Sequence, residues 1–189
     1  MNKAQELARI ADQIARCREC KAEKSGKAVP GEGNPDSDIV FLGEAPGKTE
    51  AATGKPFVGR SGQLLRKFIR NAGLREEEVF ITSPVKYLPD CGTPTHKHIE
   101  HGRMHLAKQL AVIEPKFVVL LGATAAYAML GRVVPVMKVH GTIVTQDNRT
   151  YFLTIHPAAV LRFPKYSQLM LEDFKKLKTL LSDLYSPGR

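Results

Sequence analysis

Apolar residues recur at two different periods along this chain, and the switching between them lays out its elements. Leu7, Ile10 and Ile14 fall at helical spacing and predict a first helix ending near Cys17. The run "IVFLG", residues 39–43, is short and bounded by turn signals, as a strand buried on both faces would be. Leu64, Leu65, Phe68, Ile69 and Ala72 make one face of a second helix, stopped by Gly73. A second strand, "VFITS", runs into the proline-rich loop Pro84 to Pro94. From Thr95, a residue suited to an N-cap, Ile99, Leu106, Leu110 and Ile113 trace a third helix that Pro115 ends. "KFVVLLG" is a third strand, and "ATAAYAML" a short helix stopped by Gly131. Residues 138–157 read as a hairpin, or two strands, turning at Asp147-Asn148, and residues 167–184 as a last amphipathic helix.

Strands alternating with helices imply a mainly parallel sheet covered on both faces. The expectation is an α/β fold: a three-layer α/β/α sandwich about a central, mainly parallel four-stranded sheet, forming one domain over residues 1–189. Ligands of such sheets bind outside the carboxyl ends of the strands. That rule gathers three segments into one site: the glycine loop after "IVFL", the "TSPVKYLPDCGTPT" loop and "TIHPAAVLRFP".

Composition narrows the function classes. At 43% hydrophobic and 25% charged the chain has the balance of an ordinary globular protein. Its net charge of +9 favours a polyanionic partner. The most apolar window, Phe117 to Leu130, is too short to span a bilayer, and the polar, helical start does not read as a secretory signal. Three cysteines, an odd number, argue against a secreted disulfide framework. A cytoplasmic or nuclear setting, with no membrane contact, is the expectation.

In residues 39–65, "IVFLGEAPGKTEAATGKPFVGRSGQLL", the apolar run enters a glycine-rich loop that lets the backbone approach a ligand closely, and leaves as an amphipathic pattern. "GEAPGKT" falls short of a phosphate-cradling P-loop, which needs four residues between its glycines and a helix directly after it; turn residues Thr53 to Pro56 are expected instead. Phe57, set among glycines, is either a core anchor or a platform for a flat ring. Lys48, Lys55, Arg60 and Arg66 offer cations to phosphates or to solvent. His156 leaves the last strand ahead of Pro157, where it can serve as a general acid, as a donor to a developing anion or as a structural group. Val160, Leu161 and Arg162 follow it, an apolar tip beside a cation, which either packs on the domain or enters a base stack.

Three loops, a ring platform, a histidine and a basic surface suit a base-flipping enzyme. In order and spacing, "GEAPG", "GKPFVGRSGQLL", "VFITSPVK" and "HPAAVLR" resemble the uracil-DNA glycosylase superfamily, nearest to family 4, the thermostable iron–sulfur type. The resemblance runs from the Cys17/Cys20 pair to about Arg162. It implies a monofunctional glycosylase of base-excision repair that hydrolyses the N-glycosidic bond of a flipped uracil or related deaminated base, acting as a monomer on DNA. Gly43, Glu44 and Ala45 would meet the base and the attacking water, with Glu44 placed to position that water. Phe57 would stack on uracil and His156 would donate to its O2. Lys48, Arg60, Ser61 and Gly62 would meet DNA phosphate, and Leu161 with Arg162 would fill or clamp the vacated stack. A catalytically inactive module binding DNA or a deaminated base on the same fold is the alternative.

Two departures from the family pattern carry consequences. Ser83 stands where family 4 commonly has an asparagine that reads the uracil edge; a hydroxyl cannot span both N3–H and O4 as an amide does, which opens hypoxanthine or xanthine as alternative bases. Family 4 also holds a [4Fe–4S] cluster on four cysteines. Cys17 and Cys20 match the first two, whereas the later positions fall on Tyr87 and Gly102. Cys91 and the histidines His96, His98, His101 and His105 lie near, so that Cys17, Cys20, Cys91 and one histidine, with His101 the candidate, would suit zinc or an iron–sulfur cluster.

Overall fold

The structure, a computed structural model, describes residues 2–185. In chain order its elements are α1 (Lys3–Arg16), α2 (Arg18–Lys21), β1 (Lys24–Ser25), β2 (Glu32–Gly33), β3 (Ile39–Leu42), α3 (Lys48–Thr53), α4 (Arg60–Asn71), β4 (Phe80–Thr82), β5 (Leu88–Pro89), α5 (His96–Ile113), β6 (Phe117–Leu121), α6 (Ala123–Leu130), α7 (Val136–Val139), β7 (Thr142–Gln146), β8 (Arg149–Thr154), α8 (Pro157–Arg162) and α9 (Ser167–Tyr185).

The main sheet runs β2-β4-β3-β6-β8-β7. Its inner four strands, β4, β3, β6 and β8, are mutually parallel, as the alternation of elements implies. An antiparallel strand extends each edge, β2 on β4 and β7 on β8, so the sheet has six strands rather than four. The β7–β8 hairpin turns at Asp147 and Asn148, with φ of 52° and 58°. Two successive left-handed residues make the turn type whose twist matches the strands, and Asn and Asp tolerate it best.

Strand side chains alternate between the faces, which makes a layer on each side. Ile39, Phe41, Ile81, Val119, Leu121 and Phe152 pack under α4 and α9, against Leu65, Phe68, Ile69, Met170, Phe174 and Leu177. Val40, Leu42, Phe80, Val118, Leu120 and Leu153 face α5 and α6, against Leu106, Leu110, Ala125, Ala126 and Leu130. This is an α/β/α sandwich. Thr95 caps α5 by accepting from the His98 N–H at 3.3 Å.

Three stretches expected as loops contain helix. Thr49 to Thr53 lie in α3, with Gly54 as its left-handed C-cap, so a helix does open soon after "GEAPG". The spacing of Gly43 and Gly47 still departs from a P-loop, and α3 spans only six residues. The "GRSG" turn is the first turn of α4, and "PAAVLR" is α8, with Pro157 in the first-turn position where its missing N–H is not needed. No helix among the described residues is long and apolar enough to cross a membrane.

Candidate active site at the strand ends

The parallel strands β3, β4, β6 and β8 end on one edge of the sheet, at Gly43, Ser83, Gly122 and Ile155. A cavity of about 200 Å³ opens there, and Glu44, Ala45, Phe57, Ser61, Ser83 and His156 all line it. Three loops far apart in the chain thus converge, because parallel strands deliver their carboxyl ends to the same side.

His156 is the N-cap of α8, and its Nδ1 accepts from the Ala158 N–H at 3.1 Å. A ring nitrogen that accepts carries no proton, so Nε2 holds it and is the donor. Burial lowers the His156 pKa below its ordinary value, a shift that the nearby Glu44 carboxylate partly opposes. The imidazole is therefore neutral at physiological pH. Gly122, at φ 89°, allows β6 to end beside it: a Cβ there would come within 3.0 Å of the His156 Cβ.

Phe57 is buried, its ring centroid 6.1 Å from that of His156, and its backbone sits in the left-handed region at φ 51°. That conformation costs a non-glycine residue of order 1–3 kcal/mol and has to be held by its surroundings. Two ionisable side chains hold it, Glu50 buried and Arg66 half-buried. The Glu50 carboxylate accepts from the Val58 and Gly59 N–H groups at 2.9 and 2.7 Å. On the other side Arg66 donates to the carbonyls of Phe57 and Pro56 at 3.1 and 3.3 Å, while pairing with Glu76 and Glu32 at 2.7 Å each. Arg66 is thereby committed to the loop and its two acids, not presented to phosphate. Gly43 and Gly62 complete the seat: a Cβ on Gly43 would lie 2.4 Å from the Phe57 ring, and one on Gly62 2.0 Å from the Phe57 carbonyl. Gly62 is buried packing, which removes it from the surface where a phosphate was expected.

Glu44 accepts from the Thr124 hydroxyl at 2.7 Å, which fixes its carboxylate at the cavity wall. Ser83 is buried and donates its hydroxyl proton to the Val85 carbonyl at 2.7 Å. Its proton is thus used within the protein, and only lone pairs remain for a ligand. Lys48 and Arg60 are exposed at the starts of α3 and α4, and Ser61 faces the cavity from the first turn of α4. Leu161 and Arg162 are exposed at the end of α8, while Val160 is buried in the core. Phe163, absent from the sequence reading, is exposed beside them, with the Arg162 guanidinium 5.3 Å from its ring centre. Glu50, Thr124 and the Ala158 N–H were likewise not anticipated; a second acidic residue beside Glu44 in a glycine-rich basic loop is the only trace of Glu50 in the sequence.

A second group gathers elsewhere. The ligand atoms of Cys17, Cys20, His101 and His105 all lie within 4.8 Å of one another. Cys91 is not among them: it is exposed, and its thiol donates to the Thr93 carbonyl at 3.1 Å. The four histidines do not share a solvent-facing stripe, since His98 and His105 are buried, and His98 bonds Glu23 at 3.0 Å. These residues do not fit a four-iron cluster. The cluster needs thiolates spread around a cubane; here two donors are imidazoles and all four crowd around a single point. Tyr87 is buried against Ile10, Ile14 and Cys20, its hydroxyl on the Ala15 carbonyl at 3.3 Å. A side chain at Gly102 would strike the Pro84 carbonyl, 2.0 Å from its Cβ.

Comparison with known proteins agrees with this architecture. The family model for the uracil DNA glycosylase superfamily matches residues 30–181. The type-4 uracil-DNA glycosylase of Saccharolobus solfataricus is 38% identical over 188 residues, covering 92% of this chain and 85% of the relative. Those of Thermotoga maritima and Archaeoglobus fulgidus are each 36% identical, covering 91% and 90% of this chain and 93% and 91% of the relatives. With its parallel sheet, its cavity at the strand ends and this match over most of its length, the chain belongs to the uracil DNA glycosylase superfamily.

Proposed function

We propose that this protein is a monofunctional uracil-DNA glycosylase of base-excision repair, which hydrolyses the N-glycosidic bond of a uracil flipped out of DNA. The observation that carries the reading is His156, its Nδ1 accepting from the Ala158 N–H, in one cavity with Phe57 and Glu44. Breaking the bond leaves negative charge on uracil and positive charge on the sugar. The His156 Nε2–H donates to O2 as that charge grows, and a preorganised donor of this kind contributes about 2.7–4 kcal/mol to transition-state stabilisation. The Phe57 ring stacks on the base, and Glu44, oriented by Thr124, positions the attacking water. The Ser83 lone pairs accept from N3–H.

Lys48, Arg60, Ser61 and Arg162 bind the DNA backbone around the cavity, and Leu161 enters the space the base vacates. The protein acts as a monomer in the cytoplasm or at the nucleoid. Lys86 supports a hydrolytic, imine-free course: buried, it donates to Thr82, Gln109 and the Pro30 carbonyl at 2.7, 2.7 and 3.1 Å, and it does not line the cavity.

Labelled oligonucleotides bearing one uracil, hypoxanthine or xanthine, single-stranded or paired, followed by alkaline cleavage, test the proposal. Breaks at uracil are expected. Tight binding without breaks at any base would leave only a DNA-binding module.

A further inference from the structure

Cys17 and Cys20 stand three apart on α2 and its N-cap, while His101 and His105 stand four apart on one face of α5. The pairing C-x2-C with H-x3-H is the donor set and local spacing of Cys2His2 zinc sites, here brought together across about 80 residues of chain. The Cys17 sulfur and His101 Nε2 are 3.2 Å apart. Bond lengths of roughly 2.0–2.3 Å place the donors of a tetrahedral zinc about 3.3–3.8 Å apart, so a small contraction of the 4.8 Å group closes it. Cys20 and His105 are 3% and 7% exposed. The His105 Nδ1 is buried without a hydrogen-bond partner, the one such side-chain atom among the described residues. A buried orphan nitrogen on a member of a donor cluster calls for a partner. The Cys20 N–H already donates to the Cys17 sulfur at 3.4 Å, the outer contact that steadies a bound thiolate.

From these contacts we infer that Cys17, Cys20, His101 and His105 bind one zinc ion in a closed tetrahedral site, at the place where its relatives' resemblance implied an iron–sulfur cluster. Binding releases the two thiol protons and leaves two thiolates and two neutral imidazoles on the metal. Four protein donors leave no open position, so the ion is structural and ties α2 and the end of α1 to α5. A two-iron cluster with two cysteines and two histidines would put thiolates and imidazoles on different irons; the Cys17–His101 contact puts one of each on the same centre.

The protein should be expressed with zinc and iron both supplied, purified without oxygen or chelator, and assayed for zinc, iron and acid-labile sulfide. One zinc per chain and no sulfide is expected. Cobalt(II) in exchange should give the intense visible bands of a tetrahedral site with thiolate-to-metal charge transfer. Cys91→Ser should keep the metal and the bands; Cys17→Ser and His105→Ala should lose them, and removal of zinc by a chelator should lower the Tm of the parent reversibly. Stoichiometric iron with sulfide, a metal-free protein whose Tm ignores zinc, or loss of the metal in Cys91→Ser would each overturn the inference. The parent's metal content and cobalt spectrum decide the matter even where a ligand variant does not fold.

Discussion

The Ala158 N–H donates to His156 Nδ1 across 3.1 Å, so the first turn of α8 selects the tautomer of the residue that caps it. Because the donor is a backbone amide, the choice does not depend on any other side chain. The imidazole is left with its only proton on Nε2, facing a cavity it shares with Phe57.

Replacing His156 with alanine should lower the single-turnover rate on uracil by about 10²–10³-fold, the loss seen when one oxyanion donor is removed. Ala158→Pro deletes that N–H in the first turn of α8 and should cost up to about 10-fold through the freed tautomer. Nitrogen NMR of the ring should show the Nε2–H form in the parent and a mixture in Ala158→Pro. An unchanged tautomer and rate in that variant would sink the positioning argument.

The pH dependence follows from the lowered His156 pKa. Activity should hold steady from neutral pH down through the ordinary histidine range and fall only in more acid solution, as Nδ1 takes a proton and breaks the Ala158 bond. Since the folded value lies below the unfolded one, the group's stability contribution is complete above the unfolded value and is lost as pH falls toward the folded one. A rate profile turning at or above pH 6.5, the ordinary value, would contradict this.

Lys86 acts in the same direction at higher pH. Burial, opposed by Cys20, lowers its pKa to about 7. Between that value and the ordinary lysine range the unfolded chain holds a proton the folded chain has shed, so stability rises with pH there. Lys86→Met should flatten the rise, measured as the change in urea midpoint between pH 7 and pH 9.

Gly62→Ala tests the seat of Phe57. Its new Cβ would sit 2.0 Å from the Phe57 carbonyl, forcing α4 and the loop apart. Overpacking of this kind costs about 1–3 kcal/mol, and activity on uracil should fall further than stability alone accounts for. Glu50→Gln keeps the shape but weakens the hold on Val58 and Gly59, and should lower activity with a smaller loss of stability.

Leu161→Ala and Phe163→Ala should slow excision from paired uracil by about 10-fold and spare single strands, where no stack has to be held open. Equal losses on both substrates would assign these side chains to general binding.

Much of this protein is written locally. The unbroken apolar runs "IVFL" and "FVVLL" decide that those strands are covered on both faces, and Asp147-Asn148 decides the hairpin, because both depend on neighbours in the chain. The cavity residues Glu44, Phe57, Ser83 and His156 were legible because strand order alone sends their loops to one edge. The two-residue strand β2 was not, since it is too short to show a period and exists only by pairing with β4. Nor could the sequence say that Glu50 and Arg66, 16 positions apart and both charged, would grip one strained peptide from opposite sides. The same holds for the metal group: chain distance favoured Cys91 beside Tyr87, whereas the helical face of α5 brings His101 and His105 to Cys17 and Cys20. Local preference is a property of the chain, but which distant polar groups share a buried volume is settled only when the layers pack and every buried charge and N–H must find a partner.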